Sequence, residues 1–135
     1  MRWAATLHDV RRVDDYQDIL HGQRAADWLR QNVANIPCGF NEHQVHCTAY
    51  CCIWHVPHDH LIPAFTPELT CLKDADSLDR VRLGDLDIKY LRTSYAKNLT
   101  DKAQKLFDKS QRYGLPNNQQ WLAVRQAALD LGLWH

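Results

Sequence analysis

Residues 20–39, LHGQRAADWLRQNVANIPCG, decide the fold. Ala26, Leu29 and Val33 recur at steps of three and four, the spacing that puts side chains on one helix face. Pro37 and Gly39 end the pattern. The same grammar extends outward in both directions. Upstream, RWAATLHDVRR (residues 2–12) is a run of good helix formers that closes on His8 and Asp9. Downstream, Asn41 is placed to cap a helix whose inner face is Val45, Ala49 and Cys52, and Pro57 ends it. Pro67 sits at the favoured first turn of a helix running toward Gly84. In LTDKAQKLFDKSQRYG, Leu99, Ala103, Leu106 and Tyr113 form a stripe that Gly114 and Pro116 terminate. In NNQQWLAVRQAALDLG the stripe is Trp121, Val124, Ala128 and Leu131. No segment carries the alternation of a strand. The sequence predicts an all-α fold of at least five helices over residues 1–135, in one bundle, with Leu72, Leu106 and Trp121 buried.

Composition narrows the function. A hydrophobic fraction of 45% over 135 residues supports a packed core. Sixteen basic and sixteen acidic side chains cancel, which argues against a nucleic-acid surface built on bulk charge. No apolar run reaches the length of a membrane span. Five cysteines (Cys38, Cys47, Cys51, Cys52, Cys71) are an odd number without framework spacing, and no secretory leader is recognisable. Reduced thiols, no disulfide and a cytoplasmic protein are expected, so the sequon at Asn98 is one in name only.

The chemistry-bearing residues gather at helix boundaries. His8 and Asp9 close the first helix, and His21 opens the second beside Gly22, which permits close backbone approach. His55 ends the apolar face that includes Cys52. Asp76 shares a helix face with Leu69 and Leu72, where an ionised carboxylate needs a cation, hydrogen-bond donors or a metal. Imidazoles with carboxylates suit Fe, Mn, Zn or Co. A second His-Asp pair, His58 and Asp59 in VPHDH, reads as a loop between prolines. His43, His46, Cys47, Cys51 and His55 share helical spacing, but no second cysteine pair completes a zinc tetrahedron. The cysteines read instead as small buried hydrophobes.

The order AATLHD, then HG, then a histidine closing an apolar helix, then KDADSLD resembles the HD superfamily of metal-dependent phosphohydrolases over about residues 2–92. The resemblance implies an all-α bundle, with residues 98–135 adding C-terminal helices. It implies one or two divalent ions (Fe, Mn, Zn, Co or Mg) held by His8, Asp9 and Asp76. His21 and His55 match the added histidines of the bacterial members that cleave diadenosine tetraphosphate. His8 and Asp9 would be catalytic, and the substrate a nucleotide or other small phosphoester held by Arg12, Lys73 and Arg80. Asp74 and Asp79 would orient a ligand or water. Neither membrane nor nucleic acid is an implied partner, and a homo-oligomer is compatible. The family's first histidine lies one helix upstream of the His-Asp pair, whereas seven residues precede His8 here. A shortened or degenerate domain with a non-catalytic binding or structural role is therefore the alternative expectation.

Overall fold

The computed structural model describes residues 2–14, 17–36, 39–116 and 119–134. Among these, all regular structure is helical: α1 (Arg2–Leu7), α2 (His21–Asn32), α3 (Glu42–His55), α4 (Pro67–Asp79), α5 (Ser94–Lys97), α6 (Thr100–Gln111) and α7 (Gln120–Asp130). Short 3-10 turns stand at Val33–Asn35, Asp59–Leu61, Arg80–Leu83 and Ile88–Tyr90. Pro37, Cys38, Asn117 and Asn118, which enter the sequence reading, lie outside the described residues. None of the helices is long and apolar enough to cross a membrane. Where the sequence reading expects one bundle, the chain divides into two compact units, residues 1–73 and 74–135.

In the first unit the helix ends follow from local chemistry. The Asn41 side chain accepts from the Gln44 backbone N–H while the Gln44 side chain accepts from the Asn41 backbone, a reciprocal cap that starts α3. Two apolar clusters flank α3, and its adjacent cysteines face one each. Cys52 packs with Leu7, Ala25, Ala26, Leu29 and Ala49. Cys51 packs with Ala4, Leu69 and Leu72. The six-residue α1 therefore buries Ala4 on one side and Leu7 on the other, which fixes the direction in which its C-terminus leaves. Full burial of leucines such as Leu29, Leu69 and Leu72 contributes roughly 1.5–3 kcal/mol each.

Gly22 sets the spacing of α2 and α3. A Cβ there would lie 2.1 Å from the Cys52 carbonyl oxygen and 3.1 Å from a Val56 methyl. Only glycine allows this approach, and it brings His21 and His55 to the same end of the helix pair.

In the second unit α6 packs along α7. Gly84, at φ +74°, ends the 3-10 turn that follows α4. The α7 stripe read from the sequence is corrected: Ala123, Ala127 and Ala128 are buried, while Trp121 is 64% exposed and Val124 and Leu131 also face water. The small residues take the inner face because they allow the closest helix approach. Leu106 is half-buried and Leu72 fully buried.

Candidate metal centre

Four of the residues singled out by sequence lie together in the first unit. The Asp9 carboxylate is their centre. Asp9 Oδ1 is 3.1 Å from His21 Nε2 and 3.6 Å from His55 Nε2, and Asp9 Oδ2 is 3.5 Å from His8 Nε2. The two Nε2 atoms of His21 and His55 are 3.0 Å apart. The His55 ring meets those of His8 and His21 edge-on, both at centroid distances of 4.9 Å. Ligand atoms of His8, Asp9 and His55 all fall within 4.8 Å of one another.

Each ring is oriented by the same local device. His8 Nδ1 donates to the Ala5 carbonyl at 2.9 Å, His55 Nδ1 to the Cys52 carbonyl at 2.6 Å, and His21 Nδ1 to the Asp18 carbonyl. In every case the acceptor is three residues earlier. His8 and His55 follow or end helices whose last carbonyls lack intrahelical partners, and the imidazole takes one of them. A carbonyl only accepts, so Nδ1 carries the proton. The remaining nitrogen of a neutral imidazole, Nε2, is then a lone pair. Three such lone pairs and one carboxylate point at one small volume.

With all three imidazoles neutral that convergence repels itself, and either a proton on an Nε2 or a cation within the cluster relieves it. Asp9 Oδ1 is the one buried side-chain oxygen or nitrogen among the described residues that receives no hydrogen bond. Burial by itself raises the Asp9 carboxyl's pKa, but the polar contact of His55, the His8 imidazole and the Arg12 guanidinium outweigh it and hold the group well below the usual carboxylate range. The acid is an anion. Donor pairs on a divalent ion with bonds of 2.0–2.1 Å stand about 2.8–3.4 Å apart at right-angled or tetrahedral positions; the His21 contacts at 3.0 and 3.1 Å lie in that range, and the His55 and His8 contacts to Asp9 at 3.6 and 3.5 Å lie just outside it. Histidines that donate their other nitrogen to a backbone carbonyl are the form in which metal-binding imidazoles are held. His8, Asp9 and His55 form a group that could hold a metal ion, with His21 beside them.

Exposure grades across the cluster. The His55 and His21 side chains are 3% and 8% exposed, His8 18% and Asp9 34%. The histidine floor is dry, and the carboxylate and Arg12 side is open to a ligand.

The other expected residues have different partners. Arg12 donates to Asp9 Oδ2 at 2.9 Å and to the Asp14 carbonyl at 3.0 Å, so it lies at the site but paired. Lys73, expected to hold substrate, is engaged with the backbone at the end of α3. It is buried, and its Nζ donates to the His55 and Pro57 carbonyls at 2.9 and 2.7 Å and pairs with Asp59 at 3.3 Å. It thereby closes the C-terminus of α3, where His55 sits. Asp74, expected to orient ligand or water, instead accepts from the Arg92 and Thr93 backbone N–H groups at 2.7 and 3.0 Å and from the Thr93 hydroxyl at 2.7 Å. Arg80 pairs with Asp85. Asp79 pairs with Arg82 at 2.7 Å on the surface. Asp76 is half-buried on α4, in the second unit. The described cysteines Cys47, Cys51, Cys52 and Cys71 are free thiols, and Cys38 lies outside the described residues.

Asp18 is a residue that sequence reading missed. Its carboxylate accepts from the Val13 backbone N–H at 2.9 Å and pairs with Arg24, which also donates to the Arg11 carbonyl at 3.0 Å. This latch ties the segment leaving Asp9 to the first turn of α2, while the Asp18 carbonyl orients His21. An aspartate three residues before a helix-opening histidine was the available signal. No family model, curated protein or solved structure matches the chain.

Proposed function

We propose that this chain is an HD-type metal-dependent phosphohydrolase domain acting on a nucleotide or other small phosphoester, in a cytoplasmic setting. The observation that carries the reading is the meeting of three Nδ1-tethered histidines on the Asp9 carboxylate, His21 and His55 at its buried, hydrogen-bond-free Oδ1 and His8 at Oδ2. His8, Asp9, His21 and His55 would hold the ion. A divalent ion supplies Lewis acidity toward a phosphoryl oxygen and activation of water. The chain's own groups do the rest. The dry histidine floor strengthens electrostatics inside the site. Asp9 carries the negative charge that selects a cation. Arg12, beside it, offers a guanidinium fork for phosphate oxygens once its partner carboxylate is engaged elsewhere.

A second reading has an observation of its own. The cations expected to grip phosphate are committed within the fold: Arg12 to Asp9, Lys73 to the end of α3 and Arg80 to Asp85. This favours a domain that holds metal without turnover. One experiment separates the two. The protein, loaded in turn with Mn²⁺, Fe²⁺, Co²⁺, Zn²⁺ and Mg²⁺, is incubated with nucleoside triphosphates, diadenosine tetraphosphate and p-nitrophenyl phosphate while phosphate and nucleotide products are measured. The hydrolase reading expects turnover that Asp9→Ala and His21→Gln abolish. Stoichiometric metal binding without turnover on any substrate supports the second reading and rejects the first.

A further inference from the structure

A cavity of about 360 Å³ lies in the second unit, among the end of α4, the turn after it, α6 and the C-terminal region. Leu99, Ala103 and Leu106, the α6 stripe that helical spacing marks for burial, line it and are only half-buried as a result. Val124 and Leu133 line it from the C-terminal side. Such a volume is in the range of small-molecule sites. An apolar stripe left facing a void forfeits the contacts that normally reward its burial.

The polar groups at this cavity are few, and two are already used. Asp79 is paired with Arg82 at 2.7 Å, and the Ser110 hydroxyl donates to the Phe107 carbonyl at 2.7 Å. Lys102 is different: it is exposed, it lines the cavity, and it has no partner among the described residues. An apolar chamber with one uncompensated cation on its wet side is complementary to a molecule with an apolar tail and one negative head.

We infer that this cavity binds a medium-chain fatty-acid carboxylate, with its tail along Ala103 and Leu106 and its head at Lys102. At roughly 30 Å³ per water-sized group the cavity holds about twelve such groups, so a chain of about ten carbons fits. The site is independent of the metal centre.

The test is a titration of the full chain with straight-chain carboxylates of six to sixteen carbons, below their micelle concentrations, followed by calorimetry and backbone and methyl NMR. Affinity is expected to rise about fourfold per added methylene and to level off near ten to twelve carbons, with one ligand per chain. Shifts should concentrate at Ala103, Leu106, Val124, Leu133 and Lys102. Lys102→Met should weaken decanoate up to about fivefold and leave decanol unchanged. Ala103→Trp should remove decanoate binding; the NMR map of the unmodified chain keeps the test decisive if that variant does not fold. Affinity that climbs without a plateau, equal binding of decyltrimethylammonium, or shifts confined to Trp121 and Trp134 would overturn the inference. So would a dimer in sedimentation that Ala103→Trp dissociates while decanoate fails to bind, since a second copy would then be the occupant.

Discussion

Gly22→Ala probes the joint that aligns two of the histidines. The new methyl would meet the Cys52 carbonyl oxygen at 2.1 Å, whereas carbon and oxygen in contact stand about 3.3 Å apart. Backbone, not a flexible side-chain tip, has to yield by roughly 1.2 Å by that difference. Overpacking of this kind costs about 1–3 kcal/mol, and the helix-propensity gain of up to about 1 kcal/mol offsets part of it. A net loss of about 1–2 kcal/mol corresponds to a Tm lowered by roughly 4–8 °C for a chain of this size. The same carbonyl orients His55 through its Nδ1 at 2.6 Å, so metal affinity should fall about 10- to 100-fold, the cost of losing an orienting partner. Gln23→Ala, exposed on the same helix, should change stability by less than about 0.5 kcal/mol and leave affinity alone. Differential scanning calorimetry and a metal titration of the three proteins make the comparison. A Gly22→Ala protein as stable as the parent, with unaltered affinity, would refute the claim that this contact sets the site.

Further outcomes follow from neighbouring contacts. The Asp9 carboxyl is held below its ordinary pKa despite burial, by His55, His8 and Arg12. Its contribution to stability is therefore full above about pH 4, the unfolded value, and is lost as pH falls through the lower folded value. Urea unfolding of metal-free protein should show a steeper acid loss for the parent than for Asp9→Asn, and parallel pH profiles would contradict this. Lys73→Met leaves the His55 and Pro57 carbonyls without their donor and should cost about 2–3 kcal/mol in the same assay; an unchanged midpoint would count against the closing role. Burial pushes the Cys51 and Cys52 thiols up to about 11 and about 12, whereas Cys71 is exposed. Mass spectrometry after brief alkylation at pH 8 should find Cys71 labelled and Cys51 and Cys52 untouched until urea is added; early labelling of the buried pair would show that α3 opens readily.

Much of the fold is written locally. Asn41 announces the start of α3 through its cap, Pro67 opens α4, and Gly84 and Gly114 take the positive φ that ends a helix. Which face of a helix turns inward is less legible. On α7 two overlapping stripes fit the period, one of large residues through Trp121 and one of alanines through Ala123 and Ala127, and closeness of packing chose the second. At the site, helix-end position marks His8, His21 and His55 as unusual. Their orientation rests on carbonyls, which every residue has and no sequence pattern displays. Partner choice among charges is non-local as well. Lys73 and Asp74 are neighbours in sequence, yet one closes α3 while the other holds the turn at Thr93. Spacing along α4 could not separate those fates.

The central claim is that His8, Asp9, His21 and His55 form one cation site. Titration of metal-free protein with Co²⁺, followed by the visible absorption of the bound ion and by calorimetry, tests it most directly. The account predicts saturable binding of at least one ion, lost in Asp9→Ala and kept in Asp27→Ala, whose carboxylate is exposed on α2 with Gln23 and Arg30. Absence of binding by the parent protein, or equal binding by the two variants, would contradict it.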